Sequence, residues 1–468
     1  MNFATGRDFG YPIGDALRFL NERGLILLFG VALLCRLSFF TFASLNNGLM
    51  FGTDFPDSAG YDQLAMNLVA GNGFSQQSIA PYIPDTFRTP VYPFFLSVIY
   101  WVFGHRPYVA ILFQIVIGVL TCMVTLLLER QILGENGSGY SGWMLAAYPT
   151  SIVFDNTLLS ESLFTCLLAL SIFYYVSLVE KTRLKDAFAC GILLGLATLC
   201  RPIAVYLGVV LIGYLALGRI IHRLRIEWRR LLVLCVCLFA GFGAIVYPWM
   251  ERNRAITGVR EISSFYGNAS AWVGPLALVR SNRSGRSVGT EWSDILQEYK
   301  TITDRSEGSK TIEQRNFRNR AIQEILDAQP PYWKLLAWGM SVTLFSPQTF
   351  MTSRMLGIES GDHIDARRSF STIGLWKFLS SIYSKKRIYE MIYLGFFIVF
   401  SLILYLSSLY CVLNHYRQWT VIVLCLMVCY FIFLAGAIGE GRFRVPAMPF
   451  FAVLSSWGLH RLRKGFIR

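Results

Sequence analysis

Long apolar runs separated by short polar connections set the pattern of this chain. The first run, Gly24 to Leu45, carries one charge, Arg36, and is long enough to cross a bilayer as a helix. Further runs follow at about 107–128, 138–154, 157–179, 187–200, 202–218 and 231–249, then at about 388–413 and 418–438, with a last one ending in His460, Arg461, Arg463 and Lys464. Phe94 to Phe103 is apolar but too short to span, and is expected to lie along the membrane surface. Trp333 to Phe350 is read as a surface or re-entrant helix, because counting it as a span would invert the last loops and place the basic tail outside. The pattern predicts an all-α polytopic membrane protein with about ten spans, a range of about nine to twelve.

Composition agrees with that class. Of 468 residues, 54% are hydrophobic and only 15% charged, which is too apolar for a soluble globular chain. Aromatic residues, 36 Phe, 23 Tyr and 11 Trp, suit helices whose ends sit in interfacial belts. The formal charge of +14 is dispersed among short connections, which sets topology in a membrane and does not form a nucleic-acid patch. Lys181, Arg183 and Lys185, and the set from Arg219 to Arg230, fall on one side. The connections holding Asp155 and Arg201 fall on the other, with the Asp54 loop. The ten cysteines lie in or beside apolar runs without metal-ligand spacing, and read as small core residues.

The expected organisation is a cytoplasmic segment at 1–24, a catalytic membrane module at 25–249 with an outer loop at 46–106, an outer loop at 250–332, and C-terminal membrane helices with a basic cytoplasmic tail at 333–468. Within 250–332 only Ile312 to Leu326 shows a weak helical pattern. Phosphate-loop, dinucleotide, HExxH and GxSxG motifs are absent. An energised substrate would therefore have to arrive by another route, and the membrane is one.

The candidate chemistry concentrates between Asp54 and Pro93. In PDSAGYDQLAMNLVAGNGF, apolar positions recur at helical spacing from Tyr61 to Val69, and Gly71 and Gly73 stop the pattern. Asp57 at the start reads either as a helix cap or as a general base held at the membrane surface. Spacing alone favours the cap, and Asp54 reads as a solvated neighbour. Arg88, before a Pro-x-x-Pro segment, is either an interfacial anchor or a phosphate clamp, since a guanidinium offers a planar fork to phosphate oxygens. Arg201 lies between two apolar runs and needs a partner there. Asp155 and Glu161 are further acids at the outer end of a hairpin, and Glu161 is either a structural partner of an arginine or an active-site group.

Together these stretches resemble the membrane-embedded glycosyltransferases of the C superfold that use lipid-phosphate sugars: the dolichyl-phosphate-mannose protein mannosyltransferase-like family and the related aminoarabinose transferases of lipid A. The resemblance rests on PDSAGYDQLAMNLVAGNGF with FRTPVYPFFL, on YPTSIVFDNTLLSESLF, GLATLCRP, YPWMERN and GEGRFRVPAMP, in that order over most of the chain. It implies a C-type fold with surface helices in the first outer loop. It implies Asp57 as catalytic base, with Asp155 or Glu161 as the second acid, and binding of substrate by Arg88, Tyr61, Tyr92, Arg201, Arg252, Arg442 and Arg444. It also implies a polyprenyl-phosphate-linked sugar donor and a glycan, lipid or protein acceptor, with an active site at the outer face of a bacterial inner membrane. Many relatives follow the acid with Glu, whereas Ser58 follows here, which weakens any metal held by this loop; a divalent cation is allowed but not required. The competing readings are a lipid-linked glycan transporter or flippase, and a glycan polymerase or ligase.

Overall fold

A computed structural model describes residues 22–53, 55–134, 137–221, 224, 226–263, 270–286, 288–305, 310–347, 351–352, 355, 388–436 and 440–466. Asp54, the basic cluster from Arg367 to Arg387 and the arginines before position 22 lie outside the described residues. All regular structure among the described residues is helical. By length and composition, six helices there can cross a membrane: Arg23–Asn47, Pro107–Leu133, Glu161–Lys181, Pro202–Ile220, Trp228–Thr257 and Ile392–His415. The other runs counted towards about ten spans form shorter or interrupted helices. The run at 138–154 is two helices, Ser141–Ala147 and Pro149–Asp155, because Pro149 has no N–H to continue the first and instead starts the second.

The chain divides into two compact units. The first comprises Met1–Ile262, Val399–Cys429 and Val445–Arg468. Its first helix, α1 (Glu22–Asn47), is followed by the two short helices of the first loop, α2 (Pro56–Val69) and α3 (Val91–Phe103). Then come α4 (Pro107–Leu133), α5 (Ser141–Ala147), α6 (Pro149–Asp155), α7 (Glu161–Lys181), α8 (Leu184–Cys200), α9 (Leu207–Ile220) and α10 (Trp228–Thr257). α2 ends as the glycines predict: Gly71 and Gly73 adopt φ of 77° and 81°, a left-handed conformation costly for other residues. Asn67 Nδ2 then donates to the carbonyls of Ser75 (2.7 Å) and Gln77 (2.8 Å), pinning the loop beneath the helix. α3 buries Tyr92, Leu96, Ile99 and Tyr100 and leaves Phe94, Val98, Trp101, Val102 and Phe103 exposed.

α8 and α10 cross with their backbones in contact. A Cβ on Gly191 would stand 2.1 Å from the Leu238 carbonyl oxygen, and one on Gly241 would stand 2.4 Å from that of Phe188. One turn on, Gly195 faces Ile245. Helices in lipid have little hydrophobic drive to associate, so small residues at i and i+4 permit the close packing that holds them. At the far end of α4, the buried Glu129 carboxylate accepts the backbone N–H of Gly139 (2.8 Å) and of Ser141 (3.0 Å), capping α5 from outside its own sequence. Ser456 Oγ, on the last helix α17 (Met448–Phe466), donates to the same carboxylate at 2.8 Å.

The second unit comprises Ser263–Ile398 and Tyr430–Arg444. Where the sequence pattern predicts a helix only over Ile312 to Leu326, it holds α11 (Ser270–Ser284), α12 (Val288–Arg305) and α13 (Lys310–Leu326). Their core is aromatic, with Trp272, Tyr299 and Phe317 in mutual edge or tilted contact at 5.4 to 5.9 Å between ring centroids. Arg280 ties the three helices together through Glu298 (3.0 Å) and Glu324 (3.2 Å). α14 (Tyr332–Phe345) has 14 residues, a rise of about 21 Å, short of a bilayer core of about 30 Å. Two further helices, α15 (Ile388–His415) and α16 (Trp419–Gly436), complete the described fold.

Candidate active site

Asp57 sits in the first turn of α2, but the cap position is Phe55, and no side chain caps the helix. The carboxylate turns instead to Arg88, whose Nη2 donates to Asp57 Oδ1 at 2.8 Å across 31 positions of sequence. Both groups remain reachable, with side chains 32% and 18% exposed. The Arg88 guanidinium lies over the Tyr61 ring, 4.7 Å from its centroid, and over Phe87 at 5.3 Å, so the quadrupole of a buried ring steadies it. Its backbone is fixed as well. Asp85 Oδ1 accepts the Arg88 N–H (2.8 Å) while Asp85 Oδ2 accepts from Gln76 Nε2 (2.5 Å). The Arg88 loop is thus a built support.

Glu161, the first residue of α7, pairs with Arg201, which follows the last residue of α8. Glu161 is fully buried, and the Arg201 side chain is 16% exposed. One hydroxyl joins the two ion pairs: Ser160 Oγ lies 3.5 Å from the Tyr61 hydroxyl and 3.5 Å from Arg201 Nη1. The Arg88 loop is also tied to the end of α8, where Thr89 Oγ1 donates to the Cys200 carbonyl at 3.2 Å. Burial pushes the Tyr61 hydroxyl above the ordinary tyrosine value, against the pull of Arg88 and Arg201, which keeps it a neutral hydrogen-bonding group near neutral pH. Asp57, Arg88, Tyr61, Glu161 and Arg201 therefore form one cluster, with Tyr92 packed behind Tyr61 at 4.8 Å, edge to face.

The remaining candidates lie in other arrangements. Asp155 forms a buried pair with Arg36, Nε to Oδ2 2.7 Å, with the side chains 1% and 7% exposed. Ser162 Oγ donates to its other oxygen at 2.6 Å, and Arg36 also reaches the Ala32 and Ala146 carbonyls. The pair fits only because position 118 has no side chain: a Cβ on Gly118 would stand 2.1 Å from Asp155 Oδ2. Removing one partner of a buried pair costs about 3–5 kcal/mol, since the other charge is stranded. Arg36→Met is therefore expected to reduce the yield of folded protein in detergent severalfold, and Arg36→Met with Asp155→Asn to restore most of it, as read by size-exclusion chromatography.

Arg252, on α10, donates to the Asp85 carbonyl (2.6 Å) and to Asn253 Oδ1 (2.8 Å), and stacks on Trp249 at 4.5 Å. It braces the Arg88 loop. Arg442 and Arg444 belong to the second unit. Arg442 pairs with Glu440 at 3.4 Å, and the fully buried Arg444 donates to the carbonyls of Thr343, Leu344 and Ser346, satisfying the C-terminal end of α14. Ser58, which stands where many relatives have a second acid, is fully buried, and its hydroxyl has no hydrogen-bond partner among the described residues. No group of three or more His, Cys, Asp or Glu among the described residues is arranged to hold a metal ion.

Sequence reasoning did not single out Ser160, Gln114, Asp85 or the role of Arg36. The available signals were an arginine inside the first apolar run and a glutamine inside a spanning one, both costly in lipid unless partnered.

No curated protein matches the chain in sequence. Among solved structures, ArnT from Cupriavidus metallidurans bound to undecaprenyl phosphate aligns at 14% identity and a TM-score of 0.42, over 95% of this chain and 79% of that one. The apo state of the same protein aligns over the same shares at 15% identity and a TM-score of 0.40. Residues 87–245, which include Arg88, Tyr92, Asp155, Glu161 and Arg201, match the family described as dolichyl-phosphate-mannose-protein mannosyltransferase.

Proposed function

We propose that this protein moves a sugar from a polyprenyl-phosphate donor to an acceptor at the outer face of the membrane, by a single displacement that inverts the anomeric carbon. The observation that carries the reading is the Asp57–Arg88 pair held over Tyr61 and joined through Ser160 to Glu161–Arg201. It brings one accessible carboxylate and two arginines together on α2, the Arg88 loop and the end of α8. The acceptor hydroxyl or amine attacks C1, Asp57 takes its proton, and the C1–oxygen bond to phosphate breaks with its electrons on the phosphate. Arg88 and Arg201 take up that charge. A group positioned to remove the acceptor proton and a phosphate clamp must face opposite sides of C1. The contact between Asp57 and Arg88 is thus a resting state, opened when Arg88 turns to the phosphate.

The paired acid on Arg201 has its own use. Glu161 is too buried to meet an acceptor, and instead holds the guanidinium at the end of α8. A comparison of lipid-linked sugars and surface glycans by mass spectrometry, in cells with and without the chain, tests the proposal. Accumulation of one polyprenyl-phosphate sugar and loss of that monosaccharide from one acceptor is expected. Unchanged glycans on every acceptor would overturn it.

A further inference from the structure

α4 carries a fully buried glutamine in the N-terminal third of an apolar span. Gln114 Oε1 accepts the Tyr92 hydroxyl proton at 2.6 Å, and Gln114 Nε2 donates to the Thr157 carbonyl at 2.7 Å. The Thr157 carbonyl can only accept, so it faces the amide nitrogen and leaves the amide oxygen to the Tyr92 hydroxyl. Tyr92 follows the Arg88 loop, and its ring supports Tyr61, on which the Arg88 guanidinium rests. Thr157 lies three residues before Ser160, which approaches both Tyr61 and Arg201. One side chain is therefore the cross-brace between the half of the site that carries Arg88 and the half that carries Arg201.

We infer that Gln114 is a positioning residue that sets the spacing of Arg88 and Arg201, and thereby the preference of the site for a phosphate headgroup on a polyprenyl tail. The inference rests on the donor reading proposed above. The physical reason is that two guanidinium groups bind one phosphate cooperatively only when their forks converge on it. Both ends of the brace are hydrogen bonds among fully buried residues, where a polar group has few alternatives. The Thr157 carbonyl also accepts the Leu159 N–H at 2.7 Å, so it keeps a partner when the glutamine is removed.

The test is binding of undecaprenyl phosphate against undecaprenol of the same length to the purified full chain in detergent, read by tryptophan fluorescence. The wild type is expected to prefer the phosphate by at least tenfold. Gln114→Leu, of similar volume, is expected to lose about tenfold in affinity for the phosphate and to bind the alcohol as before. Gln114→Glu is expected to hold the phosphate within about threefold of wild type. A carboxyl buried there is neutral, accepting from Tyr92 through one oxygen and donating to Thr157 through the other. Tyr92→Phe, which removes one oxygen and keeps the ring, is the variant that remains informative if the leucine protein folds poorly, with an expected loss of about threefold. A role in packing alone would shift both lipids together or neither. Wild-type phosphate preference in folded Gln114→Leu and Tyr92→Phe overturns this inference alone. A wild type with no preference for the phosphate overturns it together with the donor reading; where the wild type has the preference, Arg88→Ala is expected to abolish it, and an unchanged preference there overturns the donor reading.

Discussion

Asp57→Asn is expected to lower sugar transfer by about 10²–10⁴-fold, the usual worth of a general base, while the protein still inserts, folds and binds the lipid phosphate. The variant separates the two roles open to Asp57. Asparagine caps a helix as well as aspartate does, so a purely structural cap would survive the change. The structure already places the cap at Phe55 and gives Asp57 no cap hydrogen bond. Asparagine can still accept from Arg88 through its amide oxygen, so the resting contact at 2.8 Å is kept in weaker form and only proton acceptance is lost. The measurement is transfer from a defined polyprenyl-phosphate sugar in isolated membranes, alongside the amount of inserted protein. Full activity in Asp57→Asn would remove the base from Asp57.

Gly191→Ala is expected to be the most damaging single methyl in the membrane module. Its Cβ would stand 2.1 Å from a backbone oxygen of α10, and backbone atoms of a packed helix cannot rotate away as a side-chain tip can. The crossing must open, and overpacking of this kind costs about 1–3 kcal/mol or more. Because Arg201 directly follows α8, an opened crossing also displaces the Glu161–Arg201 pair. Loss of both thermal stability and transfer is expected, with Gly241→Ala behaving alike through its 2.4 Å approach to Phe188. Gly213, in α9, has nothing within 4 Å of its would-be Cβ. Gly213→Ala should therefore leave the melting temperature unchanged or raise it, since alanine is the better helix residue. Equal melting curves for Gly191→Ala and Gly213→Ala would refute the close crossing.

The apolar pattern made the membrane class, the short apolar helix α3 and the bounds of α2 legible, because each depends on local composition and on glycines that stop a helix. The resemblance of PDSAGY, FRTPVYP and LCRP located the acids and arginines, and the fold brings Asp57, Arg88, Tyr61, Glu161 and Arg201 into one cluster. Pairing could not be read. Asp57 meets Arg88 across 31 positions and Asp155 meets Arg36 across 119, and nothing local to either acid names its partner. Arg252 shows the same limit from the other side: an arginine in a family-like motif can face a substrate or, as here, a backbone carbonyl of Asp85. The helices from Ser270 to Leu326 were hidden for a different reason. Their stability rests on Trp272, Tyr299 and Phe317 meeting across three helices, although α12 does carry a stripe at helical spacing, Val288, Trp292, Ile295, Tyr299 and Ile302, a signal that sequence reasoning missed.

The Glu129 cap has a consequence for how the protein is made. Its carboxylate seats α5 early in the chain, yet one further partner, Ser456, is synthesised 327 residues later. At ribosomal rates of about 5–20 residues per second, that interval is on the order of tens of seconds. During it the hairpin of α4 and α5 stands in the bilayer with a buried acid short of one hydrogen bond, a costly condition in lipid. Completion of the hydrogen-bond set around Glu129 therefore waits on arrival of the last helix.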